Sequence, residues 1–408
     1  MKPEILSPAG NYEKLVSAIR FGADAVYLAG DRFGMRASAA NFTDEELRAG
    51  VAYAHAANVK VYLTVNVMPR EHEIPALHAY LDRISDIPVD AVIVSDLGVL
   101  EAVKVHLPHM PIHVSTQAST VNSASINVWQ KMGAGRVVLA RELSLEEIKA
   151  IRRNISKEME LETFVHGSMC VSWSGRCLLS NYLTGRDGNR GMCAQPCRWN
   201  YNAVKYAIVE EKRPDIPLPI EEEQGETFIL SSKDMCMVEH IPALLEAGIS
   251  SYKIEGRMKS AYYTAVVTNA YRMALDAALA GKPFDPAWMR EVESVSHRPY
   301  DTGYFFSDSH TNANVTAQTG YIREKAYLAT VLSYSPETKL AYCIQRNKYT
   351  LGDTAELLTP GKTGIPFTPT ALYDEQMNPI PSTPHAGMHF YIEIPFGARE
   401  GDILRSGE

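Results

Sequence analysis

Cysteine is scarce in this chain, and long apolar runs are missing. Only six of the 408 residues are cysteine, and no apolar stretch approaches the length that a membrane span needs. Residues 1–7 lack the charged start and the following apolar stretch of a secretion signal. We therefore expect a cytoplasmic protein without membrane contact, in which thiols stay reduced and clustered cysteines bind metal more often than they form disulfides.

Motifs of common hydrolase classes are also missing. The chain has neither the His-Glu-x-x-His helix of zinc peptidases nor the Gly-x-Ser-x-Gly elbow of serine hydrolases. A cysteine peptidase stays open as an alternative, because His166 lies four residues before Cys170 and a thiol nucleophile needs a partner histidine. Such an enzyme uses a single cysteine, so three further cysteines nearby are surplus to it.

Four of the six cysteines lie close together, with the spacing C-x6-C-x15-C-x3-C. The stretch between them is rich in turn residues, which let a short chain fold back and bring the sulfurs together. Zinc and an iron–sulfur cluster both accept four thiolates. The spacing differs from the paired knuckles of zinc sites, which favours the bulkier [4Fe-4S] cluster and leaves a zinc-stabilised RNA-binding module as an alternative. The four candidate metal ligands are Cys170, Cys177, Cys193 and Cys197.

Positive charge and aromatic rings concentrate in the same stretch, although the net charge of the whole chain is −8. Arginines mixed with aromatics suit an anionic ligand that also stacks, such as an unpaired RNA base beside its phosphate. The alternative is that the arginines are solvated and the aromatics are core. The basic residues are Arg176, Arg186, Arg190, Arg198 and Lys205, and the aromatic ones are Trp173, Tyr182, Trp199, Tyr201 and Tyr206.

Over the first 260 residues, short β-rich runs alternate with amphipathic helical stretches. Eight such units predict an α/β fold, a (β/α)8 TIM-like barrel. An open doubly wound sheet is the alternative, but no glycine-rich phosphate loop follows the first strand. The predicted strands are Glu4–Ser7, Ala25–Ala29, Lys60–Asn66, Ala91–Ser95, Ile112–Gln117, Arg136–Ala140, Glu162–Val165 and Ser251–Ile254.

Two domains are expected. Residues 1–315 form the barrel, with a cysteine-rich insertion and an acidic, proline-rich excursion over residues 168–236. Short strands split by turns predict a small antiparallel β-barrel over residues 316–408. A domain of this shape suits contact with RNA or a partner, and a purely structural role is equally open.

Polar residues follow the predicted barrel strands, where the active site of such a barrel lies. Asn66, Gln117, His166 and Glu255 are the candidate catalytic residues. Some of these strand-end groups are expected only to cap the next helix. The candidate substrate-binding residues are Arg141, Glu142, Arg176, Lys253, Arg257 and Trp199.

The run from Glu162 to Ser180, which contains the first two clustered cysteines, resembles the signature of the collagenase-like peptidases, family 32 of the unassigned (U) peptidase class. The resemblance spans essentially the whole chain. Further matching blocks are Glu4–Gly10, Gly22–Tyr27, Ser115–Gln117, Arg141–Glu147, Lys253–Arg257 and Cys193–Trp199.

The resemblance implies a function as well as a fold. Several members of this family hydroxylate RNA or the ubiquinone ring without oxygen, and those studied carry a [4Fe-4S] cluster on four such cysteines. In length and layout the chain is most similar to the members that act on tRNA. The resemblance therefore implies hydroxylation of the wobble uridine to 5-hydroxyuridine in a tRNA anticodon stem-loop, with prephenate as the hydroxyl source. A peptidase or collagenase is the runner-up.

Prephenate is a dicarboxylate, and cationic side chains near the strand ends suit it. Arg141, Arg176, Lys253 and Arg257 supply the forked or point charges that carboxylates prefer. A wobble uridine is already unpaired, so presenting it to a barrel mouth costs little unstacking free energy.

Overall fold

The computed structural model describes residues 2–35, 41–198, 232–307 and 321–407, and between residues 199 and 231 it describes four short strands. The chain divides into two compact units. The first comprises residues 1–15, 24–258 and 297–321, and the second comprises residues 16–23, 259–296 and 322–408. The predicted boundary between residues 315 and 316 stays a prediction.

The first unit contains a closed barrel of eight parallel strands, so the TIM-like prediction is confirmed. The first seven strands pair in sequence order, and the strand at Ser251–Ile254 pairs with both the seventh and the first. Those two pairings close the sheet on itself. The first seven strands are β1 (Glu4–Pro8), β2 (Ala25–Leu28), β3 (Lys60–Val65), β4 (Ala91–Val94), β5 (Ile112–Val114), β6 (Ala134–Val138) and β7 (Glu160–Ser168).

Short strands that the sequence did not predict extend the barrel sheet. One of them, β12 (Asp234–Cys236), pairs antiparallel with the outer end of β7 and places Cys236 opposite His166. Another, β14 (Tyr300–Asp301), pairs with β12. Strands of two or three residues are too short to show an alternating pattern. Four further strands lie outside the barrel sheet and pair in twos, β8 (Ile208–Glu210) with β9 (Arg213–Leu218) and β10 (Glu221–Glu223) with β11 (Glu226–Phe228). The strand that closes the barrel, β13 (Ser251–Ile254), has its predicted bounds.

Helices alternate with the strands of the barrel. A capping box is present at Ser144, because the Glu147 N–H donates to Ser144 Oγ at 3.4 Å and the Ser144 N–H donates to Glu147 Oε2 at 2.8 Å. The helices are α1 (Tyr12–Arg20), α2 (Asp44–Ala56), α3 (Ile74–Arg83), α4 (Leu97–His106), α5 (Ser123–Lys131), α6 (Leu145–Arg153), α7 (Leu179–Thr184), α8 (Ile241–Glu246), α9 (Ala261–Leu279) and α10 (Pro286–Glu293).

Among the described residues, no helix is both long enough and apolar enough to span a membrane.

An antiparallel sheet dominates the second unit, as predicted. Its strands are β15 (Tyr327–Ser335), β16 (Leu340–Gln345), β17 (Ala355–Leu358), β18 (Ile365–Phe367), β19 (Leu372–Tyr373), β20 (His389–Glu393) and β21 (Ile403–Ser406). They are ordered β18-β17-β21-β15-β16-β20-β19. Within the described residues the two edge strands do not pair with each other, so the sheet is a half-barrel. Inside this unit the buried Arg405 pairs with Glu291 and Glu356, each at 2.7 Å.

The barrel interior holds charged side chains that the sequence did not single out. Glu162 on β7 is fully buried and accepts hydrogen bonds from Lys253 Nζ at 2.7 Å and from Arg136 Nη1 at 3.1 Å. Arg136 also pairs with Glu4 on β1 and with Glu160. Strands β1, β6, β7 and β13 are therefore joined by opposite charges. Buried charges need such pairing, because removing one partner leaves the other without compensation.

These buried groups have shifted pKa values. Burial alone raises the pKa of the Glu162 carboxyl, but the charges of Lys253 and Arg136 outweigh it and lower the pKa to about 2. Burial, reinforced by the nearby Arg136, lowers the pKa of His113 on β5 to about 3. His113 is therefore neutral in the folded protein at all but strongly acidic pH.

The low pKa of His113 predicts acid sensitivity. Below its ordinary pKa of 6.5 the unfolded chain binds a proton that the folded chain excludes, so the free energy of unfolding falls as the pH drops toward 3. The expected contribution is up to about 1.4 kcal/mol per pH unit. Denaturant unfolding of wild type and His113→Phe between pH 7 and pH 5 would measure the slope, which the substitution should reduce. The matched control is His109→Phe at an exposed position, and equal slopes in all three proteins would contradict the prediction.

Candidate active site

The polar residues predicted at the strand ends share one edge of the barrel. Asn66, Gln117 and Glu255 follow β3, β5 and β13, while His166 lies near the end of β7. All these strands are parallel, so their carboxyl ends meet at the same mouth. The first unit therefore brings the four candidate catalytic residues to one side of the barrel.

Residues 168–198, here called the cysteine segment, contact that mouth at several points. The N–H and the hydroxyl of Ser174 donate to Glu142 Oε1 at 2.8 and 3.1 Å. A Cβ atom added to Gly175 would lie 2.2 Å from the carbonyl oxygen of Gln117, so the segment's backbone lies directly against the residue after β5. The first part of the cysteine segment therefore lies against the barrel mouth.

Two ion pairs connect Asp187 and Arg190 of the cysteine segment to the loop after β3. Arg190 donates to Glu73 Oε1 at 2.5 Å, and Asp187 lies 3.8 Å from the guanidinium of Arg70. The segment is thus attached both beside β6 and beside β3, on different sides of the mouth.

Arg141 connects the barrel to the first cysteine. Its Nη1 donates to the Ser168 carbonyl at 3.2 Å, its Nε donates to Ser174 Oγ at 3.4 Å, and its guanidinium lies over the Phe164 ring. Burial lowers the pKa of Arg141, but Cys170 and the Glu142 carboxylate outweigh burial and raise it. Arg141 therefore stays protonated.

One carboxylate oxygen of Glu142 accepts no hydrogen bond from the described residues. Its Oε1 accepts both hydrogen bonds from Ser174, whereas its buried Oε2 has no hydrogen-bond partner among the described residues. A buried acceptor left in this state costs free energy unless a ligand or water bonds to it. Glu142 is thus suited to accept a hydrogen bond from a group that enters the mouth.

His166 and Glu255 each lie beside a tyrosine that the sequence did not single out. The buried His166 ring has its Nε2 3.3 Å from Tyr300 Oη, and Tyr300 in turn stacks on His297 with ring centroids 4.1 Å apart. Tyr27 Oη donates to Glu255 Oε2 at 3.1 Å. Tyr300 is 134 residues from His166, so only the folded chain brings these groups together.

Both polar atoms of the Asn66 side-chain amide form hydrogen bonds. Its Oδ1 accepts from the Met35 N–H and its Nδ2 donates to Ser115 Oγ, both at 3.1 Å. It positions the loops around the mouth. The neighbouring strand-end residue Asp96 accepts from the N–H groups of Gly98 and Val99, which makes it the cap of α4.

The other cationic residues predicted to bind substrate differ in how deeply they are buried. Lys253 is buried and pairs with Glu162 inside the barrel. Arg257 is also buried and donates to Thr64 Oγ1 at 3.2 Å. Arg176 is exposed on the cysteine segment, with its Nε 3.4 Å from Ser119 Oγ. Trp199 lies outside the described residues.

The four clustered cysteines are all described, and all are thiols rather than disulfides. Cys170 is exposed and the other three are half-buried. Within the described part of the chain, no three His, Cys, Asp or Glu side chains are grouped closely enough to hold a single metal ion. A tetrahedral zinc ion needs its sulfurs about 2.3 Å from the metal, and a four-iron cluster spaces its ligands more widely. The other two cysteines, Cys236 and Cys343, are buried.

Comparison with protein families gives two matches that together cover most of the chain. The model described as Peptidase family U32 matches residues 10–314. The model described as Peptidase family U32 C-terminal domain matches residues 323–405.

Curated relatives carry names of two kinds. The tRNA hydroxylation protein P of Escherichia coli (strain K12) is 35% identical over 97% of this chain and 94% of its own length. The tRNA hydroxylation protein P1 of Bacillus subtilis (strain 168) is 35% identical over 100% of this chain and 95% of its own. A protein named collagenase from Porphyromonas gingivalis (strain ATCC BAA-308 / W83) is 30% identical over 89% and 87%.

Two glycines of the cysteine segment allow a matched test of its contact with the mouth. Gly175 and Gly185 both have left-handed backbones, with φ of +73° and +69°. At Gly175 an added Cβ would clash with Gln117, whereas at Gly185 it meets nothing within 4 Å in the described structure. Both alanine variants carry the backbone strain, of roughly 1–2 kcal/mol, but only Gly175→Ala should detach the segment. Limited proteolysis should cut this variant faster within residues 168–198 than Gly185→Ala, and equal rates would contradict the contact.

Proposed function

We propose that this chain, which belongs to peptidase family U32, is an enzyme that hydroxylates tRNA. The observation that carries the proposal is a four-thiol segment attached across the polar mouth of a barrel. Full-length relatives named as tRNA hydroxylation proteins support the choice of reaction and of RNA.

The finer proposal is hydroxylation at C5 of the wobble uridine, with prephenate as the source of the hydroxyl group. A uridine ring offers one N–H, and Glu142 Oε2 is a buried acceptor beside the mouth with no partner among the described residues. That hydrogen bond would orient the base. The wobble base is unpaired in the anticodon loop, so it reaches the mouth at a cost of little stacking free energy.

Arg141 is the residue best placed to hold a carboxylate of prephenate. Two of its nitrogens are fixed by Ser168 and Ser174, and the charges around it keep it protonated. Arg176, exposed on the cysteine segment, is the proposed partner for the second carboxylate. Lys253 is buried and already forms an ion pair with Glu162, and Arg257 is buried as well. We therefore propose that these two cations contribute to the electrostatic potential inside the barrel and do not bind prephenate directly.

His166 is the proposed residue for moving a proton. Its Nε2 lies within hydrogen-bonding reach of Tyr300 Oη, and that arrangement lets the imidazole pass a proton to or from the mouth. Glu255, held by Tyr27, is the second candidate. Gln117 and Asn66 fix the loops that these groups share.

The four cysteines are proposed to hold a [4Fe-4S] cluster. Soft thiolates in a turn-rich segment are the donors that such a cluster takes, and the positively charged Arg141 lies beside the first of them. When bound, the cluster would supply electron-transfer or Lewis-acid chemistry next to the mouth.

The surface of the cysteine segment supports an RNA partner. Tyr182 is 86% exposed and Trp173 42%, so the interpretation of the aromatic residues as core is wrong for these two. Leu178 is 66% exposed as well. Arg176 and Arg186 are exposed as well and have no acidic partner among the described residues. Exposed rings beside uncompensated guanidinium groups suit stacked bases and phosphates, and we assign this face to the anticodon stem-loop.

The peptidase alternative has weaker support from the same residues. A thiol nucleophile needs a histidine oriented toward it. The His166 ring lies against Tyr300, and Cys170 lies beside Arg141. The relative named collagenase keeps this alternative worth testing.

Iron analysis tests the cluster. Protein purified without oxygen should be brown and hold about four irons and four sulfides per chain. Serine at Cys170, Cys177, Cys193 or Cys197 should lower the iron content, whereas Cys343→Ala, at a buried position in the second unit, should not. A colourless protein with one zinc, or one with unchanged iron after the serine substitutions, would contradict the assignment.

The role of Arg141 can be tested by measuring 5-hydroxyuridine in tRNA. Arg141→Gln should raise the prephenate concentration needed for half-maximal modification by about 10- to 100-fold, because a hydrogen bond to a charged group contributes roughly 1.5–3 kcal/mol. Arg153→Gln, at an exposed arginine of α6, is the control and should behave as wild type. Unchanged prephenate dependence in Arg141→Gln would remove this residue from the site. A protein that cleaves a collagen peptide and leaves uridine unmodified would replace the proposal with the peptidase alternative.

A further inference from the structure

A cavity of about 790 Å³ lies within the second unit, away from any residue used above. The end of α9, the chain leading into α10 and the turn at Gly361 form its walls, and we call it the α9–α10 pocket. Its volume lies in the range of pockets that bind small organic groups. The side chains that matter for its chemistry are Arg272, Asp276, Lys282, Phe284, Asp285 and Trp288.

The pocket is preformed, because buried hydrogen bonds fix the turn at Gly361 to the helices. Asn269 on α9 is 1% exposed, its Nδ2 donates to the Lys362 carbonyl, and its Oδ1 accepts from the Gly361 N–H, both at 2.8 Å. The N–H of Gly364 donates to Glu291 on α10 at 3.0 Å. Little ordering cost is therefore left for a ligand to offset.

Two aromatic rings give the pocket its shape. The Phe284 and Trp288 rings have centroids 5.3 Å apart and planes at 85° to each other. One flat group can therefore stack on the face of one ring and contact the edge of the other. Both side chains are half-buried, and the Trp288 indole N–H donates to no acceptor in the described chain, so a polar group of the ligand can accept from it.

The charges of the pocket leave one cation uncommitted. Arg272 and Asp276 form a two-pronged ion pair, with Nε 2.9 Å from Oδ2. Asp285 is occupied in capping α10, where it accepts from the Ala287 N–H at 2.8 Å. Lys282 is exposed and has no ion-pair partner among the described residues. A bound group therefore meets aromatic rings and one available ammonium.

We propose that the α9–α10 pocket binds one unpaired nucleotide of the RNA substrate, with its base on Phe284 and Trp288 and its phosphate at Lys282. A flat, polar-edged ring carrying one negative charge is the chemistry that these groups recognise together. The inference rests on the proposed tRNA-modifying function and adds a second RNA contact, in the second unit. A free mononucleotide offers the same chemistry, and the test separates the two sources.

The test measures binding of an unmodified tRNA transcript to the full-length protein over a series of salt concentrations. Trp288→Ala should raise the Kd about tenfold, as expected for loss of one stacked base, and Trp288→Phe should recover most of the affinity. Lys282→Gln should lower the slope of log K against log salt by roughly 0.7, the value for one phosphate contact on a single strand. A purely structural role for the lysine would leave that slope unchanged. The matched controls are Trp129→Ala and Lys131→Gln, both on α5 of the first unit, and both should match wild type.

Titration with uridine monophosphate and adenosine monophosphate separates the remaining outcomes. If Trp288→Ala abolishes mononucleotide binding but leaves the tRNA Kd unchanged, the pocket takes free nucleotide and the RNA inference is wrong. If folded Trp288→Ala protein matches wild type in both assays, the pocket binds neither. If wild type hydroxylates tRNA but Trp288→Ala leaves the tRNA Kd unchanged, the pocket inference is wrong and the proposed function still stands. A wild type that neither binds nor modifies tRNA would defeat both proposals.

Discussion

A fully buried carboxylate, that of Glu162, constrains the barrel more than any other single group. It lies on β7 and is balanced by Lys253 from β13 and Arg136 from β6. Separating these strands would leave a charge uncompensated in a region of low dielectric, which typically costs several kcal/mol. The closing strand is thus joined to its neighbour by an ion pair as well as by the backbone ladder. The outer end of β7, where His166 lies and the cysteine segment starts, takes its position from this layer.

The mouth combines groups from two sources with different physical properties. The barrel supplies Arg141 and His166 on strand ends that the parallel sheet holds rigidly, and the cysteine segment supplies thiols and exposed aromatics on turns. Hydrogen bonds from Ser174 to Glu142 and an ion pair from Arg190 to Glu73 hold the second group against the first. The thiols and the Arg141 guanidinium thereby lie at one mouth, and the proposed prephenate-dependent reaction would use both.

Much of the fold could be predicted because the hydrophobic periodicity of each segment matches the face that the folded chain buries. Strand β13 has the predicted bounds, Ser251–Ile254, and β4 ends at Val94, one residue before its predicted end. The prediction was incomplete where an element is too short for any period. Strand β12 has three residues, and it forms only because β7 extends past the barrel and offers a free edge.

The sequence by itself determined the barrel, the order of its strands and the clustering of four cysteines near one strand end, because hydrophobic period and residue spacing are local properties. Only the tertiary structure decided which polar side chains contact each other. It placed Lys253 against Glu162, Tyr300 against His166, and the Glu142 carboxylate under Ser174. These pairs are separated by up to 134 residues in the chain. Only closure of the barrel brings such distant groups within hydrogen-bonding distance.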